Sequence, residues 1–126
     1  MKDFQFIDWR EMNINHFKKE FKVPVNVKLR FTCYELTKLL EDIPAAAVNP
    51  LITDGQGMLS WHFTEWLAEY SVYYADKHQA ILNAARFFSW DFPQIKMVIH
   101  SVEEFKPENN EEFYAKNYTF VVEFLT

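Results

Sequence analysis

The sequence predicts an α+β fold, an antiparallel sheet of three or four strands covered on one face by helices. Three observations lead to it. Residues 25–31, 94–102 and 118–125 alternate apolar with polar side chains, the period of a half-buried strand. Residues 60–90 contain neither Gly nor Pro and space their apolar side chains by three and four, the mark of a helical face. The last two strand runs flank a stretch rich in turn formers and acids, which predicts a hairpin and therefore an antiparallel sheet. Hydrophobic residues are 49% of 126, enough for one core, so residues 1–126 read as a single domain.

Each element has a local reason. Residues 3–8, DFQFID, predict a short strand, and residues 13–22 a short helix with Ile14, Phe17 and Phe21 on one face, ended at Val23-Pro24. Val25, Val27, Leu29 and Phe31 form the apolar row of the next strand. Thr32 and Glu35 have the spacing of a capping box, predicting a helix to about Asp42, since Pro44 cannot continue it. Residues 44–58 hold both glycines and two prolines and read as a long loop. A single helix over residues 60–90 would be roughly 46 Å long, too long for so small a domain. Asp76 and Gln79 supply a second capping box, so the run splits into helices over 60–74 and 77–89. Phe63, Trp66, Tyr70, Ile81, Ala85 and Phe88 are expected to face the sheet, against Val27, Leu29, Ile99, Val122, Phe124 or their neighbours.

Composition excludes several functions. Gly occurs twice, against the ~7% of average proteins. Phosphate-cradling loops need glycine for backbone approach, so nucleotide-binding folds built on such loops are disfavoured. One cysteine excludes an intrachain disulfide and a multi-cysteine zinc site. The first residues, MKDFQFIDWRE, lack the apolar core of a leader, and no apolar run reaches the ~20 residues of a membrane span. A cytoplasmic protein with no membrane role is the expectation. Net charge is −5 and unevenly spread: residues 1–40 carry +3 and residues 41–126 carry −8. The acidic majority repels nucleic acid and attracts basic partners.

Candidate functional residues follow. The tip between the last two strands holds Glu103, Glu104, Glu108, Glu111 and Glu112, a local negative potential suited to steering a basic partner. It lacks the Asp-x-Asp-x-Asp-Gly spacing of an EF-hand loop. Trp61 and Tyr73 fall off the main apolar stripe of their helix and are candidate interface anchors, with Asp54 in the long loop as a further contact. His62, Glu65 and Glu69 share a helical face, but no second such set completes a carboxylate-rich metal site, and no cofactor is expected. Cys33 opens a helix, where a thiolate is favoured, yet no oriented base accompanies it in the sequence. Residues 16–22 mix lysines with Phe17 and Phe21, which share the apolar face and so form no stacking platform for nucleic acid.

Two readings of function result. In general character the chain is similar to bacterial immunity proteins, which block a cognate nuclease toxin by covering its basic active site. The similarity rests on size, charge and missing catalytic loops, not on particular residues. It implies a small acidic binding protein that caps a basic protein partner one to one, without turnover and without touching nucleic acid itself. The alternative is a small α+β enzyme or ligand carrier with an aromatic pocket, using His78, His100, Asp54 and Cys33. A closed core with an acidic surface would favour the first; a cavity holding His78 or His100 beside a carboxylate would favour the second.

Overall fold

A computed structural model describes residues 23–49, 51–52, 57–73, 76–104 and 118–125. In order these form strand β1 (Lys28–Thr32), helix α1 (Cys33–Leu40), a one-turn helix α2 (Ala45–Val48), helices α3 (Leu59–Tyr73) and α4 (Lys77–Asp91), a 3₁₀ turn (Pro93–Ile95), and strands β2 (Met97–Glu104) and β3 (Tyr118–Phe124). The three strands form one antiparallel sheet in the order β1-β3-β2, with helices against one face. This is the α+β architecture the sequence predicts. The strand and helix expected within residues 3–22 lie outside the described residues.

β3 is central and paired on both sides. Its inner row, Tyr118, Phe120, Val122 and Phe124, is buried throughout, while Thr119, Val121 and Glu123 point to the other face. α1 lies against β1 and β3, and α4 against β2. α3 packs on both helices and reaches the sheet through Phe63. The ring of Phe63 sits 5.1 Å from Phe88 of α4 and 5.5 Å from Phe120 of β3, each in an edge-on arrangement. Leu36 and Leu40 of α1, Leu59 and Leu67 of α3, and Ile81, Ala84 and Ala85 of α4 close the core around this node.

The helix ends follow the predicted capping. Thr32 N–H donates to Glu35 Oε1 at 2.8 Å and Glu35 N–H donates to Thr32 Oγ1 at 3.1 Å, the reciprocal capping box. The Asp76 carboxylate accepts from Gln79 N–H at 3.2 Å and starts α4, so the long helical run does divide. The described residues of 44–58 are not all irregular: they hold α2, Pro44 and Met58 form an isolated antiparallel bridge, and Leu59 N–H donates to Ile43 C=O at 2.7 Å.

Three expectations are corrected. Val27 is 49% exposed rather than packed on the helices. Asn26 adopts a left-handed φ of 67° and donates to Phe124 C=O at 2.7 Å, which breaks the alternation, so regular pairing begins only at Lys28. The strand predicted from residue 94 begins at Met97, because Pro93–Ile95 form the 3₁₀ turn and Lys96, at φ 54°, redirects the chain. Trp66 does not face the sheet; the buried line of α3 runs through Leu59, Phe63 and Leu67, and Trp66 sits beside it, partly exposed. A Phe63→Ala variant is expected to lose about 3–5 kcal/mol of stability as a fully buried aromatic truncation. Trp66→Ala should lose only about 1 kcal/mol, the scale of a lost ring stack. Urea denaturation of the two variants side by side checks this ordering; equal losses would contradict it.

Candidate functional site

Aromatic rings at the rim of the core run along the α3–α4 pair: Trp66, Tyr70 and Phe87 are partly exposed, and Tyr70 packs against the core. Trp66 stacks on Tyr70 at 5.4 Å and 17°, one turn apart on α3. Tyr70 meets Phe87 of α4 at 6.0 Å, and Phe87 meets Trp90 edge-on at 5.4 Å. The four rings form a continuous ladder that ends in Trp90, 67% exposed. Helical geometry explains its position. Phe88 is on the buried line of α4; at 100° per residue Phe87 lies about 100° from it and Trp90 about 160° from it on the same side. Glu65 and Glu69 each precede a ladder residue on α3 and Asp91 follows Trp90, and all three are exposed. Trp61 is also exposed, at 40%, nearer the start of α3, and its ring is edge-on to His62 at 4.9 Å.

A cleft of about 440 Å³ adjoins the ladder. Asn83, Arg86, Phe87, Ser89 and Trp90 of α4 form one wall, and Met97, Val98, Ile99 and His100 of β2 form the other. His100 is an inserted residue: Ile99 pairs with Val122 and Ser101 with Val121, leaving it as the extra residue of a β-bulge. Its Nε2 lies 2.7 Å from Glu123 Oε1 on β3, with both side chains partly buried. An imidazole beside a carboxylate at a cavity is the feature that the ligand-binding reading asks for. As chemistry the pair can orient a proton or donate a hydrogen bond. Ser89, the hydroxyl in the cleft wall, is buried and donates to Arg86 C=O at 2.8 Å.

The other candidates are placed as follows. Glu103 is engaged across the outer face of the sheet, 2.7 Å from Arg30 Nη1. Both side chains are well exposed, so the pair contributes at most about 1 kcal/mol. Glu104 is exposed at the end of β2. Together with burial, it and Asp76 hold the Tyr118 phenol protonated, pushing its pKa up to about 12, with desolvation the larger cause. Asp76 and Glu104 therefore share a patch at the start of α4. Asp54, Glu108, Glu111 and Glu112 lie outside the described residues, as does the side chain of Tyr73, which ends α3. His78 is exposed at the rim of the core; its ring stacks on Tyr118 at 6.0 Å and its Nε2 meets the carbonyl of Val102.

His62 does not pair with Glu65 or Glu69. Its ring lies between Trp61 and Phe92, and its buried Nε2 has no hydrogen-bond partner among the described residues. No group of three or more His, Cys, Asp or Glu among the described residues could hold a metal, and none of their helices is long and apolar enough to cross a membrane. Cys33 is buried in the core. Desolvation pushes its thiol above the usual range, and the hydrogen bond with Thr37 pulls it only partly back. The helix N-terminus therefore does not produce a reactive thiolate.

Sequence reasoning missed Phe87, Trp90, Arg86 and Asn83. The signal was present: residues 83, 87 and 90 recur at four and three, a second stripe beside the buried one. Asking which rings fall off the stripe found Trp61 on α3, and the same question on α4 finds Phe87 and Trp90. No family model, curated protein or solved structure matches this chain.

Two outcomes follow from the titrations. The Tyr118 pKa is higher folded than unfolded, so the folded state holds a proton that the unfolded chain releases near pH 10. Its contribution is complete below about pH 10 and is lost as pH rises through about 12, and Tyr118→Phe should flatten the fall of melting temperature over that window. The Cys33 thiol should react with iodoacetamide at pH 8 at least about tenfold more slowly in the native protein than in urea. Equal rates would place the thiol at the surface.

Proposed function

We propose that this chain is an acidic binding protein whose outer α3–α4 face docks a basic protein partner. The aromatic ladder carries the reading. Trp66, Tyr70, Phe87 and Trp90 offer contiguous rings that stacking and helix packing already hold in place, so little side-chain freedom is lost on binding. Tyr and Trp are the residues that most often anchor interfaces. The exposed acids Glu65, Glu69 and Asp91 flank the ladder, and residues 41–126 carry −8 overall. Exposed carboxylates beside an apolar surface suit a basic partner: the charges set the rate of encounter and the rings set the lifetime of the complex. In its finer form the partner is a nuclease toxin whose basic active site is covered one to one. The described part of the acidic tip has a smaller share in this reading, since Glu103 is already paired with Arg30.

The ligand-carrier reading is favoured by one observation, the cleft beside His100 and Glu123. The cleft shares Phe87 and Trp90 with the ladder, so the two readings describe adjoining parts of one surface. The test uses the partner recovered with the native protein. Trp90→Ala is expected to weaken the complex by about 30-fold or more, the scale of an interface anchor, mainly through faster dissociation. Glu65→Lys with Glu69→Lys is expected to slow association and flatten its dependence on ionic strength, with folding unchanged. Stopped-flow association and dissociation at two salt concentrations measure both. Wild-type rates in both variants would remove the helix-pair face from the function.

A further inference from the structure

We propose that the α4–β2 cleft is a strand-addition groove: it takes an extended peptide segment that pairs with the free edge of β2 and places a carboxylate on Arg86. The proposal deepens the binding reading by naming what a partner presents at this part of the surface.

The geometry of the cleft wall is the first reason. Among the described residues β2 is an edge strand, paired with β3 on one side only. Successive side chains of a strand point to opposite faces. Yet Met97, Val98, Ile99 and His100, four consecutive residues, all line the cleft. What they present in common is the strand's edge, its backbone N–H and C=O groups. The groove has defined ends. At one, the imidazole of His78 meets the Val102 carbonyl and closes the edge. At the other, the left-handed Lys96 and the 3₁₀ turn at Pro93–Ile95 turn the chain away. Residues 97–101 remain, enough to pair with a segment of three or four residues.

The opposite wall sets the chemistry. Phe87 and Trp90 offer apolar surface for a side chain of the bound segment. Arg86 is the cation of this wall and has no ion-pair partner among the described residues. The nearby Glu123 carboxylate is held by His100 on β3's side of the bulge. A guanidinium without an anion, facing an edge of unpaired amides, matches an extended chain bearing a carboxylate. A compact apolar ligand fits worse, because it would cover the edge amides without pairing them.

The test is nuclear magnetic resonance titration of the full chain with three acetylated, amidated pentapeptides. One is Val-Thr-Val-Asp-Val, one replaces Asp by Lys, and one is the Asp peptide N-methylated on alternate amides. The Asp peptide is expected to shift the amides of Val98, Ile99 and His100 and to slow their hydrogen exchange. The Lys peptide, and Arg86→Gln with the Asp peptide, should each bind about tenfold more weakly. The N-methylated peptide should lose the exchange protection. No movement of these amides at millimolar peptide, or equal binding of the Asp and Lys peptides, overturns the proposal. Concentration-dependent dimerisation that protects the same amides without peptide also overturns it, by assigning the edge to a second copy. The peptide titration needs no partner protein, so failure of the groove and failure of the helix-pair docking face, read by the partner kinetics, are distinguished.

Discussion

The contact of Phe63 with Phe88 and Phe120 is the point on which the rest of the structure turns. It joins α3, α4 and the central strand through one fully buried ring. α3 has no other aromatic contact with the sheet among the described residues, so its rotation about its own axis is set here. Once Phe63 points inward, Leu59 and Leu67 must follow it, Tyr70 comes round two turns later to pack against the rim of the core, and Trp66 falls at the edge of the buried face. On α4 the same logic runs through Phe88: its burial fixes Phe87 and Trp90 outside. The exposed ladder is therefore a consequence of the core. A chain with 18% aromatic residues has more rings than one small core can take.

That constraint links fold to function. The outward rings are rigid because two packed helices hold them, and a rigid apolar face loses little entropy on binding. The same α4 that carries Phe87 and Trp90 also lies along β2, so the ladder runs directly into the open edge of the sheet. The edge is managed at both ends, by His78 on the Val102 carbonyl and by the left-handed Lys96 after the 3₁₀ turn, and left open between. Charge then selects: the exposed Glu65, Glu69 and Asp91 are next in sequence to ladder residues, while Arg86 in the groove wall has no ion-pair partner among the described residues.

Where the physics is local, the sequence was readable. The capping box at Thr32 and the N-cap bond at Asp76 act within four residues, and both helix starts were placed by these sequence signals, though the reciprocal bond from Gln79 expected at Asp76 is not formed. The inner rows of β2 and β3 followed from a period of two. Errors came where a backbone device shifts the phase. Left-handed Asn26 exposed Val27, and left-handed Lys96 delayed β2. The bulge left a trace, since the inward residues step from Ile99 to Val102, but alternation alone does not announce it. Trp66 was misplaced because it lies at one edge of the roughly 100° stripe it forms with Phe63, Leu67 and Tyr70, and only packing decides which edge gives way. The cleft was not legible, because it needs residues 83–90 and 97–100 brought side by side by tertiary packing.

The central claim is that the rings left out by the core form the surface on which a partner binds. Hydroxyl-radical footprinting with mass spectrometry measures it directly, on the free chain and on its complex with the native partner. In the free chain Trp90 and Trp61 should oxidise readily and Phe63 should be protected. In the complex, protection should appear at Trp90, Phe87 and Trp66. A complex that leaves these three as reactive as in the free chain, with protection elsewhere, would contradict the account.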